Sequence, residues 1–225
     1  MTISEKKNFK ELAEYRSSIY GFIAAVYRQE VTSELLRQIK AQQFQEVLSS
    51  LGVKLNNGFF QNSEREMLEN LAIEYTQLFV GPGKHISPHE SVHHKKEGVQ
   101  SGQLWGELTA QVKGIIESSG LEYESEYTGM PDHISVELEF MQQVVQHEAQ
   151  AWEADDDETA LLCLENEKNF VDQHLLGWIP DFCEKVIKTA EMPFYREMAG
   201  LTRSFIEFEK QELKKLTEDA GEISK

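Results

Sequence analysis

The chain has 225 residues, 40% of them apolar and 27% charged, which is ordinary globular composition and long enough for a substantial core. Thirty-nine acids against 22 Lys and Arg leave a formal charge of −17, a field that repels phosphate backbones and favours a basic peptide over nucleic acid as partner. No run reaches the roughly 18 apolar residues of a spanning helix. The N-terminus lacks a signal-peptide apolar block, and Cys163 and Cys183 make no metal or redox motif, so a cytoplasmic protein with reduced thiols is expected.

Strand-like alternation is nearly absent, and glycine and proline serve as punctuation. Phe9, Leu12, Tyr15, Ile19, Phe22, Ile23 and Val26 predict a first long amphipathic helix. Shorter patterns run from Ser33 to about Lys40 and from Gln42 to Leu51, with Gly52 as a C-terminal stop. Ser63 to Glu66 reads as a capping box that opens a helix through Leu68, Leu71, Tyr75, Leu78 and Phe79, halting at Gly81-Pro82-Gly83. Periodicity is then lost from 81 to about 98, a loop with Pro88 and four of the seven histidines. It resumes from Leu104 to Ile116 and lapses again over 121–130.

Pro131 suits the first turn of a helix, and Ile134, Leu138, Met141 and Val145 carry that helix inward. His133 and Glu137 fall one turn apart, while Asp132 points elsewhere. An acid and an imidazole at the wetter end of an apolar helix fit a binding site, and equally a helix cap with a satisfied polar pair. The acidic run Glu153 to Glu158 reads as a solvated turn. A further helix through Leu161, Phe170 and Trp178 is expected to be interrupted by Pro180, and Pro193 starts the last one. The expectation is an all-α protein, a single helical bundle-like domain over residues 1–225, with a swap hinge conceivable in 121–130 or 153–158.

Enzymatic signatures are missing. There is no Gly-x-Ser-x-Gly, P-loop, Gly-x-Gly-x-x-Gly or His-Glu-x-x-His. His133 with Glu137 has the form of an oriented base, but no nucleophile or oxyanion device accompanies it. His85, His89, His93 and His94 invite a metal reading, yet Pro88 breaks the helix that would align them. A diiron bundle needs two Glu-x-x-His elements, and only Glu90 to His93 has that spacing.

Four segments in order carry a resemblance. Tyr75 to Gly83 with Pro88 to Val92, Met130 to Met141, His174 to Phe182, and Phe194 to Ala199 are similar to the signatures of the TorD/DmsD family of redox-enzyme maturation chaperones. The match spans roughly residues 10 to 210. It implies an all-helical cytoplasmic chaperone, not an enzyme, with no resident cofactor. Its partners would be the twin-arginine signal peptide and the apo form of a molybdenum-cofactor oxidoreductase of the DMSO or TMAO reductase type. Family members hold the precursor back from export and assist cofactor insertion. Some form domain-swapped dimers, and weak GTP binding has been proposed among them. Carried onto this chain, the peptide-binding positions are Tyr75, Leu78, Phe79, Pro88, Ser91, Pro131, Asp132 and His133, with Glu137 beside them. Tyr75 stands where some relatives have tryptophan, and His89 where an aromatic often follows the proline. Two alternatives stand beside this reading: a subunit-assembly adaptor of the nitrate reductase chaperone type, and a metal-binding helical protein using the loop histidines.

Overall fold

The computed structural model describes residues 3–93, 106–119 and 129–223. His94, most of the expected helical start at Leu104 and Trp105, and nearly all of the 121–130 hinge region lie outside these residues. The described chain forms α1 (Ile3–Arg28), α2 (Ser33–Lys40), α3 (Gln42–Ser50), α4 (Asn57–Gln61) and α5 (Glu64–Tyr75), then α6 (Glu90–His93) and α7 (Glu107–Ser118). It continues with α8 (Ile134–Glu153), α9 (Asp157–Phe170), α10 (Leu176–Thr189) and α11 (Pro193–Ile223). Among the described residues the β pairing is a lone antiparallel bridge between His89 and His133. The architecture is all-α.

The helix boundaries follow local chemistry. Thr32, Ser63 and Asp156 each accept a backbone N–H three residues on, satisfying donors that the first helical turn leaves orphaned. Gly52 adopts φ +85° just past α3, where a side chain would be strained. The acidic stretch after α8 is a turn through Asp155 into the Asp156 cap. Pro193 begins α11.

Two expectations change. The helix of the Met130 segment begins at Ile134, three residues beyond Pro131, because the Asp132 carbonyl and the Ile134 N–H are spent on the 88–90 loop. Pro180 does not interrupt its helix and lies inside α10. The ring removes only the bond to the Leu176 carbonyl, and a wider π turn over Val171–Leu175 joins α9 to α10 just before it. A second π turn, Thr76–Val80, extends α5.

α1 packs along α8, α8 on α9, and both α9 and α10 on α11. Trp178, Phe182, Tyr27, Phe194 and Tyr195 fill the interior these helices enclose. One charged cluster is buried with them. Arg16 on α1 donates to Glu148 at 3.0 Å, Glu167 at 2.5 Å and Glu209 at 2.8 Å, tying four helices together. Burial, the largest cause, pushes the Cys163 and Cys183 thiols up to about 12, so both are inert apolar fillers.

Candidate functional site

The site is assembled from three places: the π turn after α5, the loop entering α6, and the start of α8. Tyr75, Leu78 and Phe79 face inward. The Tyr75 hydroxyl donates to the Tyr27 carbonyl at 2.9 Å, and Phe79 packs edge-on against Tyr27, Tyr75 and Tyr195. The π turn is closed by Gly81, whose N–H reaches the Thr76 carbonyl at 2.6 Å. A Cβ at Gly81 would sit 3.0 Å from that same oxygen, so a side chain there would force the backbone to give by a few tenths of an ångström. Beyond it the Ile86 N–H donates to the Leu78 carbonyl at 2.7 Å, bringing the loop back onto the helix end.

The loop is latched to the start of α8 by backbone. Ile134 N–H donates to the Pro88 carbonyl and Glu90 N–H to the Asp132 carbonyl, both at 2.9 Å. The Asp132 carboxylate adds a third bond, accepting the Ser91 N–H on Oδ2 at 3.1 Å. His133 is the α8 cap: its Nδ1 accepts from the Ser135 N–H at 3.2 Å and the Ser135 hydroxyl at 2.9 Å. That bonding leaves the neutral ring's proton on Nε2. The His89 ring meets it edge-on, centroids 5.0 Å apart. Burial first, and His89 second, lower the His133 pKa to about 3. Pro88, Ser91, Asp132 and His133 are buried and Pro131 is half-buried.

Behind the latch lies an acidic interior. Glu90, Asp132 and Glu137 are each 0% exposed. Glu90 faces the His174 Nδ1 at 3.0 Å, and Glu137 accepts the Trp178 indole N–H at 3.1 Å. Asp132 Oδ1, Glu137 Oε1 and the Ser91 hydroxyl are buried without a hydrogen-bond partner. Burial, with Glu90 and Asp132 nearby, raises the Glu137 pKa well above the usual carboxylate range. Burial therefore favours the protonated form of Glu137.

Glu137 bonds to Trp178, not to the imidazole one turn before it. Residues absent from the predicted site are Glu90, His174 and Trp178. The signal for His174 was an imidazole followed by the apolar pair Leu175-Leu176; nothing in the pattern announces Glu90, flanked by His89 and Ser91, or the Trp178 bond. The described loop histidines take separate partners. His85 faces the Gly83 carbonyl, His89 the Ser87 hydroxyl, and His93 lies between the Ser87 carbonyl and Lys185. Among the described residues no group of three or more His, Cys, Asp or Glu is arranged to hold a metal.

A helical fold with a latched loop over buried acids has the form of a binding protein. The family model described as nitrate reductase delta subunit matches residues 59–184. The chain belongs to the TorD/DmsD family of redox-enzyme maturation chaperones. It is 25% identical to the chaperone protein TorD of Colwellia psychrerythraea over 231 residues, covering 87% of this chain and 90% of that one. It is 24% identical to the chaperone protein TorD of Vibrio cholerae, covering 95% and 98%. A crystal structure of a putative redox enzyme maturation protein from Archaeoglobus fulgidus aligns with TM-score 0.49 at 20% identity, covering 85% of this chain and 93% of that one. The relatives are named for a chaperone role, which is not an enzymatic one, and no described helix is long and apolar enough to cross a membrane.

Proposed function

We propose that this chaperone binds the twin-arginine signal peptide of an apo molybdenum-cofactor oxidoreductase in the cytoplasm, delaying export while the cofactor is inserted. The observation that carries the reading is the pair of unpartnered buried carboxylate oxygens, Asp132 Oδ1 and Glu137 Oε1. A guanidinium offers five donors in a planar fork, the group best suited to satisfy them. Reaching them requires the Pro88–His93 latch to lift. An extended peptide supplies the replacement, since its main chain can pair where the His89–His133 bridge now stands. Once the latch is open, Leu78 and Phe79 become neighbours of the peptide's apolar stretch, and Tyr75 can stack on arginine.

Arginine entering beside Glu137 favours its ionised form, so binding releases a proton. Calorimetry with a twin-arginine peptide from the same genome tests this in two buffers of different ionisation enthalpy. Micromolar affinity, about −8 kcal/mol, is expected, with a buffer-dependent heat that Glu137→Gln abolishes. Asp132→Asn is expected to weaken binding by at least about tenfold, one charge-assisted bond. Absence of heat with several candidate peptides overturns the proposal. The match to the nitrate reductase delta subunit model also supports a subunit-assembly adaptor. Capture from extract separates the two, because the adaptor retains a mature catalytic subunit whose signal peptide is absent.

A further inference from the structure

Asn166 and Asn169 on α9 and Gln173 on the following π turn are exposed, and their amides bond to no other side chain or backbone group of the described residues. Spacings of three and four residues set them along one face. They border a cavity of ≈ 290 Å³ whose floor is Phe140 and Phe170, with Ser118 and Ser119 contributed by α7. The Ser118 hydroxyl donates to the Ile115 carbonyl, so what it offers a guest is lone pairs. The three amides offer donors and acceptors together.

Among the described residues no Lys, Arg, Asp or Glu lines this cavity. Those residues offer a phosphate no cation and a guanidinium no carboxylate. The two phenyl rings meet at 61° with centroids 4.8 Å apart, a wedge that seats a bulky side chain and provides no flat platform for a stacked base. Neutral polar walls over an apolar floor match one common chemistry, the peptide main chain carrying an apolar side chain. The groove between α1 and α8 is a contrast: it too has glutamines, but Glu14 and Glu153 line it and no aromatic does.

We propose that this cavity is a second polypeptide site, taking an uncharged extended segment by its backbone amides with one large apolar side chain seated on Phe140 and Phe170. It rests on the chaperone reading only in that the segment belongs to the client. The cavity is also wired to the latch. His174 lines it, and its ring faces Glu90, whose backbone N–H holds Asp132. A segment pressing on His174 therefore acts on the bond set that closes the signal-peptide site.

The test is a ¹⁵N–¹H NMR titration of the full chain with an acetylated, amidated heptapeptide of alanine and serine carrying one central phenylalanine. Saturable shifts are expected at residues 115–119 and 166–174, with smaller ones at 88–93. Asn169→Ala with Gln173→Ala, both exposed and harmless to folding, should weaken this peptide about tenfold and leave affinity for a twin-arginine peptide unchanged. A matched peptide with aspartate replacing phenylalanine should not bind. Shifts confined to the Asp132 region, equal binding of the aspartate peptide, or no saturable shift would each overturn the second site. Those results leave the signal-peptide proposal standing if the twin-arginine peptide binds, so the two can fail separately.

Discussion

Arg16 meets three glutamates with every side chain of the cluster buried, so one positive charge faces three acids. Burial, the larger influence, raises Glu167 well above the usual range despite the adjacent Arg16, and raises Glu148 in the same way. Burial therefore favours the protonated form of these acids. Glu167→Gln is expected to change stability by less than about 1 kcal/mol, because it mimics the protonated form, whereas Arg16→Met strands buried carboxylates and should cost about 3–5 kcal/mol. Urea unfolding at pH 7 followed by circular dichroism distinguishes these. Glu137 obeys the same logic with the opposite consequence for function. Its folded pKa is raised, so its stability is fully present below the unfolded carboxylate pKa and is lost as pH rises through the folded value. Glu137→Gln keeps an acceptor for Trp178 and removes that loss. Stability should rise by about 1–3 kcal/mol at pH 8 and be unchanged near pH 4, with signal-peptide affinity reduced. Equal stability of the two proteins at pH 8 would sink the assignment. Arg16 was visible in the sequence as a charge on the first apolar stripe, four residues past Leu12 and three before Ile19. Which acids it meets was not visible, since those pairings span 132 to 193 residues.

At the scale of elements, the latch between the α6 loop and α8 is the part built to move. It is held by a few backbone bonds and by two neutral imidazoles in contact. Burial lowers both the His89 and His133 pKa values, His133 to about 3. For depressed bases the sign is fixed: the latch is fully stable above the unfolded histidine pKa near 6.5 and loosens as pH falls toward 3. Hydrogen exchange at the amides of Glu90, Ser91 and Ile134 should accelerate between pH 6.5 and 4.5, after correction for intrinsic rates, more than exchange in the interior of α8, from Leu138 onward. His133→Asn retains a capping side chain and is expected to remove much of that pH dependence. Unaltered relative protection across this range would refute the mechanism. Most helix boundaries were legible because caps and stops are local: Thr32, Ser63, Gly52 and Pro193 all act within four residues of themselves. The π turns were not, because a wider turn of five residues barely disturbs an apolar stripe of period 3.6. The α8 start was misplaced for a tertiary reason, since Asp132 and Ile134 bond to a loop some 40 residues earlier. The resemblance named Asp132 and His133, but the closed state that buries them lies in that long-range pairing.

For the whole molecule, the charge of −17 acts in two directions at once. Like charges crowded onto one folded surface repel, which destabilises the compact state, while the same field draws a basic peptide toward the protein. Salt screens both, the screening length falling from about 10 Å at 0.1 M to about 3 Å at 1 M. Raising sodium chloride should therefore increase Tm while slowing association with a twin-arginine peptide. Once bound, the guanidinium sits against carboxylates that are 0% exposed, where screening is weak. The dissociation rate should then change little, and the loss of affinity, on the order of tenfold across that range, should reside in the association rate. Stopped-flow fluorescence with a labelled peptide reads both constants. A dissociation rate that rises with salt as steeply as association falls would place the arginines on the exposed acidic surface and remove the buried carboxylates from recognition.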